Sequence, residues 1–194
     1  MSMEKQGAYI LEERELAVLL QAKGISGFQG FPLRDIPGTE EEILQVLWSL
    51  TQKEFLSSDG LEFQADKGIA DCLGILEKAK GMFLLIPKQE ECPESFCYPG
   101  EQVLICQPAA FKPGTVKMWR TDWENLEELI EDGGRETEIW YYEAGSPKAG
   151  RRIRAVRKPE GCFLEDLDNR ECMSVVSPGD MGGVLKSLVK DVET

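Results

Sequence analysis

Beyond Gly81 the hydrophobic pattern of the chain changes period, and that change limits the fold more than any other feature. MFLLIP (82–87), FCY (96–98), EQVLICQ (101–107), TVKMWR (115–120), EIWYYEAG (138–145), RRIRAVRK (151–158), GCFLED (161–166) and ECMSVVS (171–177) follow one another as short strand-like runs. Turn signals separate them: Pro99-Gly100, Pro113-Gly114, Gly133-Gly134, SPKAG at 146–150 and Asp168-Asn169. Successive strand residues point to opposite faces, so the pairs Val103/Ile105 and Val116/Met118 each mark one face of a sheet. Connections this short make neighbours antiparallel, because a parallel return needs a crossover of about a dozen residues or more.

The first 80 residues read as helices instead. LEERELAVLLQAKG predicts a helix over about 12–23, with Leu16, Leu19 and Leu20 on one face and Gly24 at its C-terminal cap. Thr39 with Glu42 makes a capping box, and Glu40 and Glu41 favour the positive end of that helix's dipole. Ile43, Leu47 and Leu50 form its apolar stripe, which Leu44 and Trp48 widen. KEFLSSDGLEF (53–63) turns at Asp59-Gly60, and Asp66 caps a third helix with Ile69, Cys72, Leu73 and Leu76 on its apolar face and Gly81 at its end. Asp122 caps the acidic WENLEELIED. Ser177, Pro178 and Asp180 start a closing helix whose buried face is Met181, Val184, Leu185, Leu188 and Val189. The fold class is therefore α+β, mainly antiparallel, with a helix-rich first half and a strand-rich second half, read as a single α+β domain over 1–194 whose best candidate boundary is the loop 88–95. No internal repeat shows in the sequence.

Composition excludes several functions. The 194 residues carry 22 Lys and Arg against 35 Asp and Glu, a net charge of −13 that opposes phosphate backbones and anionic membrane surfaces. The longest apolar run, MFLLIP, is too short to span a bilayer and the first residues carry no signal-peptide core, so the expected location is the cytoplasm with reduced cysteines. Cys72, Cys106 and Cys162 sit among apolar neighbours as small hydrophobes. With 0 histidines the chain lacks the usual general base and the commonest ligand of catalytic zinc. Gly24, Gly27 and Gly30 are spaced GxxGxxG after a helix, which is no dinucleotide fingerprint, and no phosphate loop occurs. No catalytic residue, metal site or cofactor is expected.

KEFLSSDGLEF, between two helices, has the order of a winged-helix hairpin. Three glutamates open the preceding helix and Ser57-Ser58-Asp59-Gly60 forms the tip, so neither element is charged to sit on DNA. The local exception to the acidic balance is KAGRRIRAVRK (148–158), which pairs in the expected hairpin with Trp140-Tyr141-Tyr142. Alternation puts Arg152 and Arg154 opposite Ile153 and Ala155, beside the aromatic rings. Basic and aromatic residues on a sheet also grip single-stranded nucleic acid, whereas arginines on a solvent-facing strand of an acidic protein more commonly pair with its own carboxylates.

The order of ELAVLLQAKG, GFQGFPL, LWSLTQKEFLSSDGLEF, GIADCLGILEKAKGMFLL and SPGDMGGVLKSLV resembles the EspG family of cytoplasmic chaperones of type VII (ESX) secretion. The likeness lies in hydrophobic, glycine and turn positions, and FCYPGEQVLICQ with the basic hairpin departs from it. It implies a non-enzymatic protein that holds a helical secretion substrate soluble before export, with no cofactor, nucleic acid or membrane. Phe28 and Phe31 in the glycine-rich loop and Trp140, Tyr142, Arg152 and Arg154 on the late hairpin are the candidate protein-binding residues, since aromatics and arginines dominate interface energies. The alternatives are an acidic immunity protein that neutralises a basic toxin and, third, a DNA-binding regulator.

Overall fold

The computed structural model describes residues 7–25, 29–60, 62–169, 171–177 and 179–190. Its first strand, β1 (Tyr9–Glu12), was not visible in the sequence, being only four residues long and running directly into helix α1 (Glu13–Ala22). Helix α2 (Glu40–Gln52) precedes the hairpin of β2 (Leu56–Ser58) and β3 (Phe63–Ala65), which leads to α3 (Lys67–Lys78). Two runs of four strands follow. The first is β4 (Gly81–Pro87), β5 (Ser95–Tyr98), β6 (Val103–Pro108) and β7 (Thr115–Thr121), closed by a 3-10 turn at Trp123–Asn125 and helix α4 (Leu126–Asp132). The second is β8 (Glu136–Glu143), β9 (Arg151–Lys158), β10 (Gly161–Asp166) and β11 (Glu171–Val176), closed by helix α5 (Met181–Lys190). The α+β class with a mainly antiparallel sheet is as the sequence implied.

The helix ends follow local chemistry. The Thr39 hydroxyl accepts from the Glu42 amide at 3.2 Å while the Glu42 carboxylate accepts from the Thr39 amide at 3.1 Å, closing the expected box. Asp66 caps α3 through the Gly68 amide at 2.9 Å. Gly24, at φ +75°, lets the Ile25 amide reach back to the Leu20 carbonyl at 2.9 Å and seal α1. Three expectations are corrected. Gly81 opens β4 instead of ending α3, which stops at Lys78. The closing helix begins at Met181, after the Asp180 amide donates to the Ser177 carbonyl at 3.1 Å, and Pro178, expected at its first position, lies outside the described residues. Asp122 precedes its helix but accepts from the Gln102 side chain at 2.9 Å in place of a helix amide.

The sheet runs β1-β7-β6-β5-β4-β8-β9-β10-β11. Apart from β1 the order is palindromic about β4 and β8, so the chain contains two four-strand meanders, each followed by a helix and related by a two-fold axis normal to the sheet. This repeat was invisible in the sequence because the matching positions differ in side chain, with Leu84 facing Trp140 at its centre. Residues 88–94 are the loop between the paired strands β4 and β5.

Alternation along the strands divides the interior into two cores. On one face Met82, Phe96, Tyr98, Leu104, Cys106 and Met118 pack beneath α1, α2 and α3. On the other, Phe83, Cys97, Ile105, Ile139, Ile153 and Leu164 pack beneath Trp123, α4 and α5. The two closing helices therefore share a face, as the two-fold requires, and meet closely. A β-carbon on Gly182 would stand 2.1 Å from the Trp123 carbonyl oxygen, an approach only glycine permits.

Helix α2 is the part of the first core that departs most from expectation. Its buried residues are Val46 and Leu50, while Leu44 and Trp48 are 62% and 68% exposed. An ion pair between a buried carboxylate and a surface lysine sets this orientation. The Glu15 carboxylate of α1, fully buried, accepts from Lys53 Nζ at 2.6 and 2.7 Å, from Ser49 Oγ at 2.7 Å and from the Glu12 amide at 2.7 Å. With its lone pairs met, the charge is tolerable inside, and it fixes which side of α2 faces α1. Lys53→Met keeps the aliphatic stem but removes the carboxylate's cationic partner, and because Lys53 is itself solvent-exposed the expected cost in urea denaturation is about 1 kcal/mol. Glu54 caps α2 at φ +60°, where a side chain is strained, and Glu54→Gly is expected to gain about 0.5–1 kcal/mol in the same assay.

Candidate binding face on the second meander

The face that α1–α3 cover on the first meander has no described cover on the second. None of the residues of β9, β10 or β11 belongs to the core beneath those helices. The exposed surface is a lattice of cross-strand rows. In one row Leu84, Trp140 and Arg152 stand side by side; in the next come Ile86, Glu138, Arg154 and Glu165. A third row runs Glu136, Val156, Phe163 and Val175. Trp140, Val156 and Phe163 are half-buried and Val175 is 56% exposed, so apolar surface flanks the central charges.

Arg152 and Arg154 do lie opposite Ile153 and Ala155, with Trp140 the direct neighbour of Arg152. Both arginines are already engaged. Arg152 Nε donates to Asp168 Oδ1 at 2.9 Å, and its backbone amide donates to Oδ2 of the same carboxylate at 3.0 Å. Arg154 lies among three carboxylates, with Glu136 at 3.1 Å, Glu165 at 3.5 Å and Glu138 at 3.8 Å. Glu138 in turn accepts from Lys88 at 2.6 Å and from the Trp140 indole N–H at 3.1 Å. Both arginines thus have carboxylate partners, while Lys158 Nζ lies over the Phe163 ring at 4.3 Å, so the surface offers phosphate no unpaired arginine.

The other candidates are placed differently. Tyr142 is half-buried at the border of the first core, where burial raises its phenol above the ordinary value. Phe31 is 4% exposed and meets Phe96 edge-on at 5.6 Å, so it plugs the core beneath its loop. Phe28 lies outside the described residues. The loop and the hairpin are nonetheless joined: Gln29 donates its amide to the Ser146 carbonyl and accepts from the Gly145 amide at 3.1 Å, while Tyr98 donates to the Gln29 carbonyl at 2.9 Å. Sequence reasoning missed Phe163, Val156 and Val175, which reach this face through register. Alternation in GCFLED places Phe163 opposite Leu164, but only the strand order puts it beside Val156.

Among the described residues no group of three or more His, Cys, Asp or Glu is arranged to hold a metal ion, and no helix is long and apolar enough to cross a membrane. Of the cysteines, Cys72, Cys97 and Cys106 are buried, and burial pushes the Cys72 thiol up to about 11. Cys162 is half-buried, its thiol raised by desolvation. No protein-family model matches the chain, and no curated protein matches its sequence.

The charge lattice predicts a defined acid response. The hydrogen bond from Lys88 holds the Glu138 carboxyl below its ordinary value of 4.5, against the opposing effect of burial. A carboxylate depressed on folding contributes stability at pH above its unfolded value and loses it as pH falls through the folded one. Thermal melts from pH 7 to pH 3 are therefore expected to show a decline in the acid range that is shallower in Glu138→Gln.

Proposed function

We propose that this chain is a non-enzymatic cytoplasmic adaptor or chaperone of the EspG type, which holds a helical secretion substrate against the open face of β8–β11. The observation that supports the reading is the broken symmetry of the sheet. Three helices cover this face on the first meander, whereas on the second it carries Trp140, Arg152, Phe163 and Val175 among pre-paired charges. Two meanders of one architecture present similar shapes, so a partner supplying helices would complete on the second half the layer that α1–α3 provide on the first. A half-buried tryptophan next to arginines whose geometry is already fixed matches the anchors that carry interface energy, since little side-chain entropy remains to be lost.

The arrangement favours protein over nucleic acid because Arg152 and Arg154 are neutralised within the sheet. The acidic immunity reading draws on the net charge of −13, and it differs in requiring long-range attraction to a basic partner.

The test is affinity purification of tagged wild type and Trp140→Ala from the native host, with both proteins first shown to melt alike. Recovery of a stoichiometric small helical protein by wild type, with binding weakened by about 30-fold in Trp140→Ala, is the expected result. Equal recovery by both proteins, or none by either, overturns the proposal. A complex that dissociates steeply between low and moderate salt, with Trp140 immaterial, identifies the immunity mode instead.

A further inference from the structure

Between the end of α3, the turn joining β5 to β6, and α5 lies a surface cleft of about 260 Å³. Its floor is Trp123, 5% exposed, whose indole meets Phe83 edge-on at 6.5 Å and donates its N–H to the Gly100 carbonyl at 3.1 Å. The ring is thereby held in place, and Pro99 and Val189 extend the apolar lining. Every charged residue on the rim is a lysine: Lys78, Lys80 and Lys186, all exposed. Helix α3 stops at Lys78 and Ala79 is extended at φ −63° and ψ 122°, so the chain passes the cleft with two lysines a single residue apart. The Lys80 carbonyl accepts from the Ala144 amide at 2.8 Å, which anchors that passage to the β8–β9 turn. Lys186 comes from α5, its ammonium 5.9 Å from the centroid of the Trp123 ring.

Three lysines together run against the net charge of −13. The cavity of about 330 Å³ beneath α4 and α5 shows the usual balance, with Arg135, Arg157 and Lys158 set against Glu127, Glu131 and Glu160. No carboxylate lines the lysine cleft. Helix α5 and strand β4 contain none, and those of α3 are engaged elsewhere, Asp71 with Arg120 at 3.1 Å and Glu77 with Lys23 at 3.3 Å. Glu101 and Glu124, which follow Gly100 and Trp123 in the chain, do not border it. Among the described residues neither Lys78 nor Lys186 is ion-paired. Screening acts over about 8 Å at physiological ionic strength, so an anion in the cleft feels its three ammonium groups more than the acidic surface beyond them.

We propose that this cleft binds a small molecule through a dianionic phosphate group. The residue type selects the anion. Arginine offers the planar fork that pairs two-to-two with a carboxylate, and no arginine lines the cleft; lysine is a rotatable point charge, which suits the tetrahedral oxygens of phosphate. Three positive charges outweigh the roughly two of a phosphate monoester, and the indole floor can receive the organic part it carries. The volume, just below the roughly 300 Å³ at which drug-sized pockets begin, fits a small guest. A nucleic acid is disfavoured, since its further phosphates would lie against the acidic surface outside the cleft. The source is either inorganic phosphate or an organic phosphate monoester, and the recognition is common to both. No lining residue belongs to the open face of β8–β11, so the proposal does not rest on the proposed function.

Calorimetric titration of the full-length chain with phenyl phosphate, inorganic phosphate and benzoate, in a phosphate-free buffer at constant ionic strength, tests it. Saturable binding of phosphate or its ester is expected with a Kd of about 1 mM or lower, and with benzoate at least about tenfold weaker. Lys78→Gln/Lys186→Gln is expected to weaken phosphate binding by at least about tenfold, while Lys67→Gln/Lys148→Gln, which removes the same charge from exposed sites elsewhere, leaves it within about twofold. Thermal melts check that both variants fold, and Lys186→Gln alone, with a smaller loss expected, serves if the first does not. Tighter binding of phenyl phosphate than of inorganic phosphate assigns the site to organic esters, and equal binding assigns it to the free ion. The proposal is overturned if neither phosphate binds saturably, if benzoate binds as tightly, or if the Lys67 and Lys148 control loses as much affinity as the Lys78 and Lys186 variant.

Discussion

Seven residue pairs between β4 and β8, from Gly81–Glu143 to Pro87–Thr137, join two meanders into one sheet, and the rest of the structure depends on that seam. One side of it is buried, with Phe83, Leu85, Ile139 and Tyr141 facing the second core, while on the other side Met82, Leu84 and Tyr142 border the first core and Trp140 and Glu138 are half-exposed. The register is set by which side chains the buried cores accept. A slip of one residue would exchange the contents of the two cores. Because the seam lies on the two-fold axis, it also decides that α4 and α5 end on the same face and that the opposite face is left for other elements to cover.

That opposite face is where the halves diverge. The chain spends its first 80 residues covering one meander with α1–α3, and the helices are locked in position by the Glu15–Lys53 pair and by Gln29, which ties their loop to the β8–β9 turn. Over the second meander the sheet manages its own exposure. Arg154 among Glu136, Glu138 and Glu165, and Arg152 with Asp168, pair laterally, so apolar residues such as Phe163 and Trp140 sit in a frame of charge. Side chains already paired in this way lose little freedom on being covered.

Much of the local structure was legible in the sequence. The Thr39 and Asp66 caps, the Gly24 stop, the hairpin at Asp59-Gly60 and the strands beyond Gly81 all rest on chemistry between residues a few positions apart, and local chemistry is what a sequence displays directly. The placement of Arg152 beside Trp140 was legible for the same reason, since a short hairpin fixes register. Errors arose where distant partners intervene. Leu44 and Trp48 satisfy a helical period, but α2 is turned by a buried carboxylate from another helix, and the period cannot say which of two apolar flanks faces inward. Phe31 has the residue type of an interface, and its burial follows from how its loop packs against Phe96 and Tyr98 of β5.

By itself, then, the sequence determined the α+β class, the helix caps, the hairpins and the acidic balance, because periodicity, turn chemistry and charge are properties of neighbouring residues. Tertiary structure alone decided that the strands form two meanders about an axis, that no described element covers one face of the second meander, and that Arg152 and Arg154 on that face are paired. These depend on strand order and on contacts between residues tens of positions apart, such as Arg152 with Asp168 and Lys53 with Glu15, and no local pattern encodes which of many carboxylates a given cation will meet.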